Sequence, residues 1–118
     1  MSSSGGPLTG LRVVELAGIG PGPHAALLLA DLGAEVVKIE APDGDLARHS
    51  GAPGPDGMGA LFANNNRNKK SVALNLKEKA GRDALLRLVA SADVFVQNFR
   101  PGVIERMGLG EEKLRKGA

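Results

Sequence analysis

Three stretches of this chain gather residue types that can hold an anion. The first is Gly20-x-Gly22-x-x-Ala25, which follows the apolar run Leu11–Leu16. It formally matches the glycine fingerprint of dinucleotide sites, and Glu40 stands 20 residues beyond Gly20, where such sites place an acidic partner for a ribose. Pro21 and Pro23 count against a pyrophosphate there, because neither has an N–H to donate, and Ala17 to Ile19 separate the motif from the apolar run. A ligand loop of another kind, a plain strand-to-helix turn and a nicotinamide site all stay open. The second stretch is Asn64-Asn65-Asn66-Arg67-Asn68-Lys69-Lys70. Its Arg could meet a phosphate bidentately and its Lys residues as point charges, but a solvated polar edge is the plainer reading. The third is Gln97-Asn98-Phe99-Arg100-Pro101-Gly102, just after an apolar run. Open α/β sheets bind ligands outside the carboxyl ends of their strands. Phe99 there either stacks on an adenine or plugs the core.

Other chemistries find less support. His24 and His49 are the only histidines; His24 falls near a helix start, where a structural role is the plainer reading. No metal-ligand spacing and no Ser/His/Asp grouping stands out. The absence of cysteine excludes disulfides, thiolate metal sites and a Cys nucleophile, and weakly favours the cytoplasm. A net charge of +2 suits an anionic small ligand, whereas nucleic acid would ask for more charge and for aromatics beyond three Phe. No apolar run reaches the roughly 18 residues of a membrane span.

The elements that must position these stretches alternate in type. Leu11–Leu16 reads as a buried strand. A helix over about 24–32 follows, led by Pro23 as its first residue, with Ala25, Ala26, Leu28, Leu29 and Leu32 as the apolar stripe and Gly33 as its stop. Glu35–Glu40 is the next strand, completing a βαβ unit with a right-handed crossover. The segment 41–68 is rich in Gly and Pro and shows no periodicity. Lys70–Leu76 reads as a strand, and Glu78–Ala92 as an amphipathic helix turning Leu85, Leu86, Leu88 and Val89 inward. Asp93–Asn98 is a fourth strand, Pro101–Met107 a short helix, and Glu111–Lys116 a further turn. The fold class is therefore α/β, a mostly parallel sheet with flanking helices. Residues 1–8 are expected to be a disordered lead-in and 9–118 a single domain. Four parallel strands under two or three helices leave apolar surface and strand edges exposed, which predicts self-association.

Taken together, four segments resemble one family. They are Leu11–Pro23, Leu29–Glu40, Asn66–Lys77 and Ala92–Leu109, in this order and at that family's spacing. The chain over about residues 8–116 is similar to the CaiB/BaiF family, the class III CoA-transferases and the related 2-methylacyl-CoA racemases. The resemblance implies the N-terminal part of a larger CoA-transferase fold, with a Rossmann-like CoA-binding domain. It implies CoA contacts from Ile19, Gly20 and Pro21, from Leu76 and Lys77, from Asn98 and Phe99, and from Arg106. It further implies a CoA thioester as ligand, no metal, and a homodimer of interlocked chains.

Two departures accompany the resemblance. Many members carry an Arg after the acidic residue that ends the second strand; here Ala41 stands there, with Lys38 or Arg48 as substitutes. The family's catalytic groups, a nucleophilic Asp in transferases or a His/Asp pair in racemases, match no residue of this chain, so no catalytic residue is assigned. The Gly-Pro-Gly-Pro loop leans toward a racemase. The Asp43–Phe62 insert and the Asn66–Lys69 run lean toward a transferase, which is the preferred reading. A non-catalytic nucleotide-binding or interaction module is the alternative from another class.

Overall fold

The architecture is that of a computed structural model describing residues 6–16, 21–42, 66 and 68–116. Among the described residues eight elements follow one another: β1 (Arg12–Leu16), α1 (Pro21–Asp31), β2 (Glu35–Glu40), β3 (Lys69–Ala73), α2 (Lys79–Ala90), β4 (Val94–Gln97), α3 (Val103–Arg106) and α4 (Glu111–Lys116). The strands form one parallel sheet in the order β3-β2-β1-β4. The chain thus winds outward from β1 to β3, then returns past β1 to lay β4 on the other side. The reversal lies between β1 and β4.

Side-chain alternation along the strands builds a core on each face. Val13 and Val36 meet Ala26 and Ala30 of α1, with Leu8, Leu11, Leu29 and Val96 around them. Val14, Leu16, Val37 and Ile39 meet Leu85 and Val89 of α2, Ile104 of α3, Leu109, and Leu114 of α4. Leu85 and Leu109 are wholly buried, and each contributes about 1.5–3 kcal/mol by leaving water.

Several expected boundaries shift. α1 begins at Pro21 rather than after Pro23, and its buried stripe is Pro23, Ala26, Leu27 and Ala30. The expected stripe was out of phase: Leu28 and Leu32 are 51% and 45% exposed. Small alanines face the sheet because they let the helix backbone approach it closely. Strand β3 ends at Ala73, short of Leu76. Leu8 N–H donates to the Leu32 carbonyl at 2.9 Å, so the described residues 6–8 are tied to the end of α1.

Geometry requires glycine after α1 and at the start of α2. Gly33 ends α1 at φ 107°, in the left-handed region that L side chains avoid. Gly81, in the first turn of α2, passes so close to Asn75 that a Cβ would lie 2.0 Å from its carbonyl oxygen.

Candidate functional site

The carboxyl ends of all four strands open on one rim of the sheet. β4 ends there at Gln97, followed by Asn98 and Phe99. Both are exposed, and Phe99 keeps 37% of its surface in water, so it does not plug the core. Its N–H donates to Gln97 Oε1 at 2.9 Å, which closes the turn. Gly102 then enters α3 at φ 89°. The Arg106 guanidinium folds back over it, since a Cβ at Gly102 would stand 3.0 Å from Arg106 Nη1. An exposed aromatic residue and an exposed cation thus both follow the end of β4, beside the topological reversal where such sheets receive ligands.

Leu76 and Lys77 sit elsewhere on the rim. They follow β3, which β2 and β1 separate from β4, a span of roughly 14 Å at the usual strand spacing. Leu76 is half-buried and packs against the α2 core, while Lys77 is exposed. The Leu76 carbonyl accepts from Arg82 Nη1 at 3.1 Å, and Lys77 N–H donates to Asn75 Oδ1 at 3.1 Å. Pro21 is the first residue of α1. Ile19 and Gly20, like Arg48 and His49, lie outside the described residues.

Beneath the rim, on the α1 face, lies a feature that sequence reasoning missed. Glu15 of β1, Lys38 of β2 and Lys69 of β3 are buried together, their side chains at most 2% exposed. Lys38 Nζ donates to Glu15 Oε2 at 2.9 Å. Lys69 Nζ lies 2.7 Å from Glu15 Oε1, off the hydrogen-bonding angle, so that contact is Coulombic. Lys69 also donates to Asn66 Oδ1 at 2.8 Å and to the Pro23 carbonyl at 3.0 Å, which pins the first turn of α1. Asn66 and Lys69 are therefore buried, not part of a solvated edge. Lys38 is engaged with Glu15 and does not replace an Arg at position 41. Glu40, the expected ribose partner, is buried and accepts from Ser71 Oγ. That closes the nicotinamide reading at this position. The missed signal was a charged residue in the buried middle of each of two parallel strands, Glu15 and Lys38, which burial obliges to find partners.

A second charged row crosses the amino ends of the same strands. Arg12 Nε and Lys70 Nζ reach the two oxygens of Glu35 at 2.6 and 2.7 Å. These hydrogen bonds, the one from Lys70 foremost, hold the Glu35 carboxyl below its ordinary value. His24 is exposed on α1. Among the described residues no group of three or more His, Cys, Asp or Glu could hold a metal ion, and no helix is long and apolar enough to cross a membrane.

The sequence model of CoA-transferase family III matches residues 8–118. The chain belongs to this family. It is 45% identical over 111 residues to a probable fatty acyl-CoA transferase of Mycobacterium tuberculosis, covering 92% of this chain and 28% of that protein. It is 44% identical over 111 residues to succinyl-CoA:glutarate CoA-transferase of Mus musculus, covering 93% and 26%. The crystal structure of a CAIB/BAIF family protein from Brucella suis superposes with a TM-score of 0.87 at 39% identity, over 99% of this chain and 31% of that one. The chain thus spans between a quarter and a third of these CoA-transferase family III relatives, and those named by activity are transferases rather than racemases.

Proposed function

We propose that residues 9–118 are the CoA-binding, Rossmann-like N-terminal part of a class III CoA-transferase, a cytoplasmic homodimer that moves CoA between carboxylic acids. Family membership over residues 8–118 carries this reading. The arrangement at the rim supports it. CoA offers a 3′-phosphate, a pyrophosphate and an adenine face, and the segment after β4 presents the exposed Phe99 and, in α3, the exposed Arg106 cation. In this reading the ligand lies across the rim. Phe99 takes the adenine, Arg106 a phosphate, and Asn98 a polar group between them. Leu76 and Lys77 contact the ligand beyond β2. Ile19, Gly20 and Pro21 give close backbone approach.

The chain's own chemistry is binding and orientation. No carboxylate here matches the family's nucleophile, so the 118-residue chain by itself should turn over no acyl-CoA. Calorimetric titration with CoA tests the site. Arg106→Ala should weaken binding about tenfold, as expected for a lost charged contact of about 1.4 kcal/mol. Arg87→Ala, an exposed residue in the last turn of α2, which leads back to the amino end of β4, should leave binding unchanged. Equal affinity in wild type and Arg106→Ala, or no binding by the folded chain, would reject the assignment.

A further inference from the structure

Asn66, Asn68 and Lys69 belong to the polar run that the sequence offers as a phosphate site, and the rim leaves them unused. The structure ties them to α1 instead. Lys69 Nζ donates to the Pro23 carbonyl in the first turn at 3.0 Å and to Asn66 Oδ1 at 2.8 Å. Asn68 Nδ2 donates to Oδ1 of Asp31, the last residue of the same helix, at 3.2 Å. One short segment thus clasps α1 at both ends. Asn68 makes this geometry accessible, because its φ of 65° lies in the left-handed region, which Asn tolerates better than most side chains. The hold on the first turn is the stiffer of the two. Lys69 is buried and lies against Glu15, itself paired with Lys38, whereas the contact with Asp31 is exposed. That turn also has little else to fix it, since Pro21 and Pro23 lack an N–H and leave the donor of Gly22 between them.

We infer that Lys69 is a positioning residue for the ligand site. It sets the pose of the start of α1 without touching the ligand. In the CoA reading of the rim, on which this role rests, Pro21 is the residue whose contact is set in this way. Preorganising such a contact raises affinity by removing an ordering cost from the binding step. Loss of the Lys69 hold should therefore lower affinity even where the fold survives. Lys69→Met isolates the effect. It keeps the apolar stem, removes the ammonium and leaves Glu15 paired with Lys38.

Calorimetric titration with CoA and amide resonances of the 118-residue chain test this, at a temperature where circular dichroism shows each variant folded. In Lys69→Met the Gly22 and His24 amides should shift, and CoA should bind about tenfold more weakly. Asn68→Gly keeps the left-handed backbone and removes the bond to Asp31. It should shift the amides at the end of α1 and leave CoA affinity within about twofold of wild type. Should Lys69→Met not fold, Asn66→Ala takes one acceptor from Lys69 with every charge in place. It should shift the same first-turn amides and weaken CoA about threefold. Wild-type affinity in Lys69→Met, or in Asn66→Ala where that variant stands in for it, overturns the inference and leaves the CoA site standing. Unmoved Gly22 and His24 amides do the same. A loss in Asn68→Gly equal to that in Lys69→Met also overturns it, because any loosening of α1 would then suffice. A folded wild-type chain that binds no CoA overturns the rim reading and this role together.

Discussion

The sheet carries two rows of charge across the same three strands, and they differ in little but water. In each, one carboxylate meets two cations: at the amino ends Glu35 of β2 pairs with Arg12 and Lys70 of the strands on either side, and within the α1 face Glu15 of β1 pairs with Lys38 of the adjacent β2 and with Lys69 of β3 beyond it. The ion-pair distances are alike, 2.6 to 2.9 Å. The outer side chains are 30–66% exposed, the inner ones 0–2%. Water screens the outer row, so each of its pairs is worth at most about 1 kcal/mol. The inner row has given up hydration that buried partners must replace. One pattern of residue types is therefore a surface adornment in one place and a constraint on folding in the other. The constraint reaches the candidate site, because Lys69 also holds the Pro23 carbonyl at the start of α1.

Removing the inner carboxylate should have the largest effect. Glu15→Gln leaves Lys38 and Lys69 buried without their anion, and should cost about 3–5 kcal/mol. Urea denaturation followed by circular dichroism measures this. A loss under about 1 kcal/mol would make the two rows equivalent and dissolve the comparison. Next comes the apolar replacement of the whole row, Glu15→Leu with Lys38→Met and Lys69→Met. Buried ion clusters exchanged for apolar groups of similar volume are often neutral or stabilising, so the triple variant should recover most of the loss seen in Glu15→Gln. If it is no more stable than Glu15→Gln, the cost lies in packing rather than in unpaired charge.

These rows also mark how far the sequence could be read. The βαβ start was legible because Val13, Val14, Val36 and Val37 make unmistakable buried strands and Gly33 a plain helix stop. The rim residues Asn98, Phe99 and Arg106 were legible from the apolar run ending at Gln97 and from the family resemblance. The phase of α1 was not, because leucines outrank alanines in any apolar count, whereas close packing on the sheet selected Ala26 and Ala30. The inner charges were not legible either. Glu15 and Lys38 acquire meaning only through strand pairing, where Glu15 stands opposite Lys38 in register. Lys69 and Asn66 sit in a polar run whose composition suggests solvent, and only the contacts of Lys69 with Glu15, Asn66 and the Pro23 carbonyl draw them inward.

The smallest expected effect belongs to the outer row, and pH isolates it. The Lys70 and Arg12 hydrogen bonds depress the Glu35 carboxyl below its ordinary 4.5. A carboxyl depressed in the folded state binds a proton more readily once unfolded. Its contribution is therefore complete above about pH 4.5, and is lost as pH falls through the lower folded value. The groups are part-exposed, so the contribution should stay within about 1 kcal/mol and shrink as salt rises. Asp83, likewise depressed by its hydrogen bond from Lys79, also takes up a proton on acidification, so the wild-type curve alone does not isolate Glu35. The difference between wild type and Glu35→Gln does, because the other carboxylates are common to both. That difference should be flat from pH 7 to about pH 5, then narrow toward zero by about pH 3, and be smaller in about 0.5 M salt than in 0.05 M. A difference of several kcal/mol, or one that salt leaves unchanged, would place Glu35 in the same energetic class as Glu15, and burial would no longer explain what separates the two rows.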